Sequence, residues 1–84
     1  MMKVTEVKAM SDYQLELTFN NGEVRVFDVR PYLDKGIFKE LRDPAYFRLV
    51  RVAFGTVTWP HEQDFGPDSL YVASRQLASP GTPR

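Results

Sequence analysis

Residues 13–26 constrain the fold more than any other stretch. Tyr13, Leu15, Leu17 and Phe19 alternate with Gln14, Glu16, Thr18 and Asn20, a period of two that fits a strand with one buried and one wet face. Asn21-Gly22 follows, the dipeptide that best tolerates the positive φ angles of a type I′ turn. The stretch therefore predicts a β-hairpin. With Asn21 and Gly22 as the loop, Asn20 pairs with Glu23, Phe19 with Val24, Thr18 with Arg25 and Leu17 with Val26. That register puts Phe19, Val24, Leu17 and Val26 on one face, and brings Glu16 and Arg25 diagonally together on the other. A one-residue slip would set Val24 and Val26 opposite polar partners, so the alternation specifies the register. Beyond Val26 the apolar phase passes to Phe27 and Val29, which a bulge or a crossing onto another layer explains.

A hairpin alone is not stable in water and needs a further layer. The chain has 84 residues, enough for one small domain, expected over residues 1–77 with a disordered tail at 78–84. Cysteine is absent, which removes disulfides, thiolate nucleophiles and cysteine-bearing zinc sites. Eleven basic residues balance eleven acidic ones, without the basic excess usual in a protein that grips nucleic-acid phosphates. The N-terminus lacks an apolar run of signal-peptide length and no segment is long enough to span a bilayer, so a cytoplasmic protein without membrane contact is expected. Six Phe, four Tyr and one Trp enlarge a thin core. Even so, burial against ordering entropy comes out near balance for such a length, and homodimerisation is one expected remedy.

Elsewhere the signals are local. Residues 3–9 read as a first strand at a sheet edge, its lysines discouraging foreign pairing, and Ser11-Asp12 marks the turn into the hairpin. Pro31 starts one helical turn that Gly36 closes. Ile37, Phe38 and Leu41 recur at helical spacing, and Asp43-Pro44 starts another short helix, with Asp43 as cap and Tyr46 and Phe47 pointing inward. Residues 50–54 and 56–59 read as strands around Gly55. The expected class is α+β, an antiparallel sheet of about five strands with one or two short helices on one face.

Residues 59–71 hold the most distinctive composition: the only Trp, the only His and two of six prolines among acidic and amide side chains. Trp59, Pro60, His61, Asp64, Asp68 and Tyr71 are its candidates for partner binding or for bracing the loop. Trp59 is either a surface anchor or a cap on the core beside Tyr71. His61, Glu62, Asp64 and Asp68 resemble a metal set only loosely, since one His with scattered acids lacks diagnostic spacing. Asp64 can instead close an Asx-turn and Asp68 can favour the dipole of a short helix, so no metal is expected. Neither a Ser/His/Asp order, a Gly-rich phosphate loop nor a nucleotide fingerprint is present, so no cofactor and no catalytic residue are expected. Arg42, Arg48 and Arg51, interleaved with Tyr46 and Phe47, offer an alternative nucleic-acid surface by charge and stacking. Acidic neighbours Asp34, Glu40 and Asp43 interrupt that field and favour a solvated face.

Several runs in this order resemble one family: Val29-Arg30-Pro31-Tyr32-Leu33, Gly36-Ile37-Phe38, Leu41-Arg42-Asp43-Pro44, Phe54-Gly55-Thr56-Val57, Trp59-Pro60, Asp64 and Pro67 to Tyr71. They look like the family catalogued as domain of unknown function 2442, over roughly residues 3–75. His61-Glu62 stands where the family usually carries Asn-Gly. The resemblance implies a small prokaryotic α+β domain without established activity. It also implies an arrangement like a toxin–antitoxin pair, with a small partner protein encoded nearby. Some relatives add a helix-turn-helix domain, for which a chain ending near Arg84 is expected to have no room. The function expected is therefore a non-catalytic protein-interaction module, antitoxin-like by analogy alone, with a nucleic-acid-associated regulator as the alternative and a small metal-dependent hydrolase third.

Overall fold

The computed structural model describes residues 1–78. Among them, seven strands form two antiparallel sheets. The first contains β1 (Val4–Met10), β2 (Gln14–Phe19) and β3 (Val24–Asp28), and the second β4 (Arg51–Ala53), β5 (Thr56–Thr58) and β6 (Asp64–Phe65). A last strand, β7 (Arg75–Ala78), joins the first sheet beside β3, giving the order β1-β2-β3-β7. Short helices connect these strands: 3-10 turns at Arg30–Tyr32 and Gly36–Arg42, and the helices α1 (Pro44–Phe47) and α2 (Pro67–Ala73). The class is α+β with antiparallel pairing, spread over two sheets. Ala78, where the tail was expected to begin, is the final residue of β7, and residues 79–84 lie outside the described part.

The hairpin forms with a different register. Thr18 pairs with Val24, Leu17 with Arg25, Glu16 with Val26 and Leu15 with Phe27. The turn explains the shift. Gly22 N–H donates to the Phe19 carbonyl at 2.9 Å, and Phe19 N–H to the Glu23 carbonyl at 2.9 Å. Only Gly22 takes a positive φ in the loop, at 88°. Those are the marks of a three-residue loop, a type I turn followed by a left-handed residue, rather than the two-residue type I′ turn. Asn21 keeps a negative φ and makes an Asx-turn, its Oδ1 accepting Glu23 N–H at 3.0 Å. Val24 and Val26 thus face Thr18 and Glu16, while Phe27 and Val29 turn inward and are buried with Leu15, Leu17 and Phe19. Val26 is buried as well, but on the opposite face and outside this cluster. No bulge interrupts the β2–β3 pairing; the irregularities fall in β1 at Val4/Glu6 and between β3 and β7 at Val24/Arg25. Arg25, no longer near Glu16, pairs with Glu23 at 3.1 Å.

The second sheet docks on the first through β1, which lies against β4 and β5, and Val4 N–H donates to the Gly55 carbonyl at 2.8 Å. Between the sheets and the short helices sit Leu41, Phe47, Val57, Trp59 and Leu70. Each such buried side chain is worth about 1.5–3 kcal/mol relative to exposure, which is how helices of four to seven residues persist despite being too short to stand alone. Asp43 caps α1 by accepting Ala45 N–H at 3.0 Å, with Pro44 at the first position. β1 occupies the sheet edge, as its lysines suggest.

Candidate interaction surface

The run from Trp59 to Tyr71 is not one loop. It contains a turn at residues 60–63, then β6, then most of α2. Trp59 is 1% exposed, its ring against Phe47 and Phe65 and its Nε1 donating to the Phe47 carbonyl at 2.9 Å. It is therefore core and not a surface anchor. Tyr71 is elsewhere, packed edge-on against Phe19 at 5.3 Å.

What holds the 60–63 turn is a residue that sequence reasoning passed over. Gln63 is buried, its Oε1 accepting the Tyr46 hydroxyl at 2.7 Å and its Nε2 donating to the Ile37 carbonyl at 3.0 Å and to Glu40 Oε1 at 2.9 Å. His61 lies on the exposed side of this network, Nδ1 2.6 Å from Glu40 Oε2 and its backbone N–H donating to the Tyr46 hydroxyl. The contacts from His61, then Gln63, hold the Glu40 carboxyl below the usual range. No cluster of three potential metal ligands occurs among the described residues. Asp68 stands exposed in the first turn of α2.

A second network, also unmarked in the sequence, ties the hairpin to the C-terminal segment. Glu23 is buried and accepts the Tyr71 hydroxyl at 2.5 Å and Asn21 Nδ2 at 2.6 Å. Arg25 spans Glu23, the Tyr71 ring face at 4.3 Å, and both Ser74 Oγ and the Ser74 carbonyl at 2.8 Å. The hydrogen bonds from Tyr71 and Asn21, aided by Arg25, hold the Glu23 carboxyl below its ordinary range, and the same contact raises the Tyr71 hydroxyl. A carboxyl lowered in the folded state contributes stability that is complete above its unfolded pKa and disappears as pH falls through the folded value. Thermal melts from about pH 7 to about pH 3 should therefore show a Glu23-dependent loss on the acid side. Glu23→Gln should be less stable at neutral pH yet lose less on acidification; equal acid slopes for both proteins would refute this.

The cross-strand register builds one open face. Arg51 stands opposite Thr58 and Thr58 opposite Asp64, while Ala53 faces Thr56. These side chains share the outer face of the second sheet, since Val52, Val57 and Phe65 occupy the other. A cleft of about 230 Å³ opens there, lined by Arg51, Phe54, Thr58, Trp59, Pro60 and Asp64 among others. Of the sequence candidates, the fold thus brings together Trp59, Pro60, Asp64 and Arg51. It leaves His61, Asp68 and Tyr71 outside the cleft, together with Arg42 and Arg48. Arg42 is committed to Asp34 and to the Leu33 carbonyl, whereas Arg48 and Arg51 make no ion pair among the described residues.

At one end of the cleft the β4–β5 turn carries Phe54. Phe54 and Gly55 have φ of 55° and 76°, the type I′ geometry between the paired residues Ala53 and Thr56. The positive φ favours glycine at position 55, where a Cβ would also press on the Lys3 side chain, 3.2 Å from its Cγ. Phe54, by contrast, is a bulky residue in the left-handed region, and its ring is fully exposed. Sequence reading treated it as the end of a strand. Its neighbour Gly55 was the available signal, because Phe-Gly stands where a tight hairpin favours Asn-Gly.

A family model described as a protein of unknown function (DUF2442) matches residues 4–76. The chain belongs to this family. Among solved structures, this DUF2442 domain is similar to the crystal structure of a putative DNA binding protein from Nitrosomonas europaea, with 34% identity and a TM-score of 0.77 over 88% of the chain. The chain spans about half of that protein, 49% of its length. Among curated proteins none matches. No helix among the described residues is long and apolar enough to cross a membrane.

Proposed function

We propose that this DUF2442 domain is a protein-interaction module, without chemistry of its own, that acts in the cytoplasm and contacts its partner through the β4–β5 turn and the adjoining cleft. The observation that carries the reading is Phe54. An L-residue in the left-handed region costs roughly 1–2 kcal/mol, and a fully exposed ring returns nothing to the folded state. Two unfavourable choices at one position make sense where a partner buries the ring, because aromatic anchors dominate interface energies. Arg51 and Asp64 line the same cleft with charges of both signs, which suits orientation of a polar rim. The resemblance stated above points to a small protein encoded nearby, in an antitoxin-like pair, and a second copy of the chain is a further partner to examine.

Phe54→Asn separates folding from binding. Asparagine-glycine is the preferred type I′ pair, so the variant should melt higher, by about 1 kcal/mol of added stability. It should also lose the stoichiometric protein partner that the wild-type chain retains in affinity capture from host lysate. Retention of that partner by the variant would refute the reading.

A second reading, a nucleic-acid-associated regulator, draws support from the description of the Nitrosomonas europaea protein and from the uncommitted Arg48 and Arg51. It predicts nucleic acid in the same eluate, captured less at higher salt because phosphate contacts release counterions.

A further inference from the structure

On another part of the surface, a cavity of about 360 Å³ lies between the β1–β2 connection and α1, a volume within the range of small-ligand sites. Its apolar lining is Met10, Tyr13, Pro44 and Phe47, and its charged lining is Asp12 and Arg48. The backbone that presents it is unusual. Asp12 and Tyr13 are consecutive non-glycine residues in the left-handed region, with φ of 61° and 59°. Both are pinned there. The Asp12 carbonyl accepts Gln14 Nε2 at 3.0 Å, the Tyr13 carbonyl accepts Val29 N–H at 2.9 Å, and the Tyr13 hydroxyl donates to the Arg42 carbonyl. The Tyr13 ring is held edge-on to Phe47, centroids 5.3 Å apart. Strain that the surroundings over-determine in this way is found at ligand clamps.

The charges are uncommitted as well. Among the described residues neither Asp12 nor Arg48 is in an ion pair, and the neighbouring Arg30 is already held by Asp28. The geometry points to a binding site for a free α-amino acid with an aromatic or branched apolar side chain. Its carboxylate pairs with the Arg48 guanidinium, its ammonium with the Asp12 carboxylate, and its side chain occupies the wall made by Met10, Tyr13, Pro44 and Phe47. A peptide terminus would bring only one of the two charges and leave the other group without a counter-charge. Neither Asp12 nor Arg48 belongs to the β4–β5 turn, so this site and the partner surface succeed or fail separately.

The test is a titration of the isotope-labelled chain with L-phenylalanine, followed by amide shifts in NMR spectra. 3-Phenylpropionate and 2-phenylethylamine serve as probes lacking one charge each. L-Phenylalanine should give saturable shifts confined to residues 10–13 and 44–48. Affinity should fall about tenfold when either charge is removed from the ligand, and by a similar factor in Arg48→Gln and in Asp12→Asn. Both variants should keep the wild-type melting behaviour, since the two positions are exposed and asparagine accepts left-handed φ. Absence of saturable shifts at about 10 mM ligand, a concentration that would reveal even millimolar binding, overturns the proposal. So does 3-phenylpropionate binding as tightly as the amino acid, which would mean an anion site without the Asp12 contact.

Discussion

Trp59→Ala should lower stability by about 3–5 kcal/mol, the range for deleting a fully buried large aromatic. The ring is 1% exposed and touches both the helical layer, through Phe47, and the second sheet, through Phe65. Removing it opens a cavity at the junction of these layers and leaves the Phe47 carbonyl without its 2.9 Å donor. At typical values per residue a chain of this size holds about 4–13 kcal/mol in all, so the variant should sit near the edge of folding. In melts the loss should exceed roughly 10 °C, given about 4–8 °C per kcal/mol for domains of this length. Trp59→Phe is the informative companion, because it keeps most of the packing and loses the indole donor. A Trp59→Ala protein melting within a few degrees of wild type would show that the ring does not join the layers.

Gln63→Leu should cost about 2–3 kcal/mol, because leucine fills the site with apolar atoms and offers no hydrogen bond. The amide is 2% exposed and serves three partners on two segments: Tyr46 on α1, and Ile37 and Glu40 on the 3-10 helix before it. Buried groups left without partners cost about 1–3 kcal/mol each. The loss should fall at or just below the low end of their sum, because Glu40 is exposed enough to regain water and the Tyr46 hydroxyl still accepts His61 N–H. A second readout distinguishes lost hydrogen bonding from simple misfit. Without the Gln63 amide the Glu40 carboxyl should titrate closer to its ordinary range, which NMR of its carboxyl carbon would follow. Wild-type stability in Gln63→Leu, with Glu40 unchanged, would refute the role given to the amide.

The two variants probe different degrees of legibility. Trp59 stands at the end of a period-two run, so sequence reading could offer burial as one of its two roles. Gln63 carried no such mark, because a buried glutamine and an exposed one have the same neighbours in sequence; only the approach of Ile37 and Glu40 from more than twenty positions away makes it structural. Glu23 is similar. It was read as the first residue after a turn, and it becomes buried because Tyr71, almost fifty residues later, folds over it. The candidate cleft was half visible. Arg51, Pro60 and Asp64 were singled out for separate reasons, and the antiparallel register of three short strands set Arg51 and Asp64 on one face.

Local chemistry was enough to determine the hairpin's existence, the caps and turns at Asp43-Pro44 and Gly55, the edge position of β1 and the α+β class. Each depends on residues within a few positions of one another, where steric and hydrogen-bonding preferences act directly. Tertiary structure decided the hairpin register, the division into two sheets, and the placement of β6, α2 and β7. The register shows why. Two alignments, one residue apart, each offered an apolar face, and the turn dipeptide favoured the first. Packing of Phe27 and Val29 against the second layer favoured the other, since burying a phenyl ring with its neighbours outweighs a turn preference. That contest involves residues distant in sequence, so it could be resolved only in the folded chain.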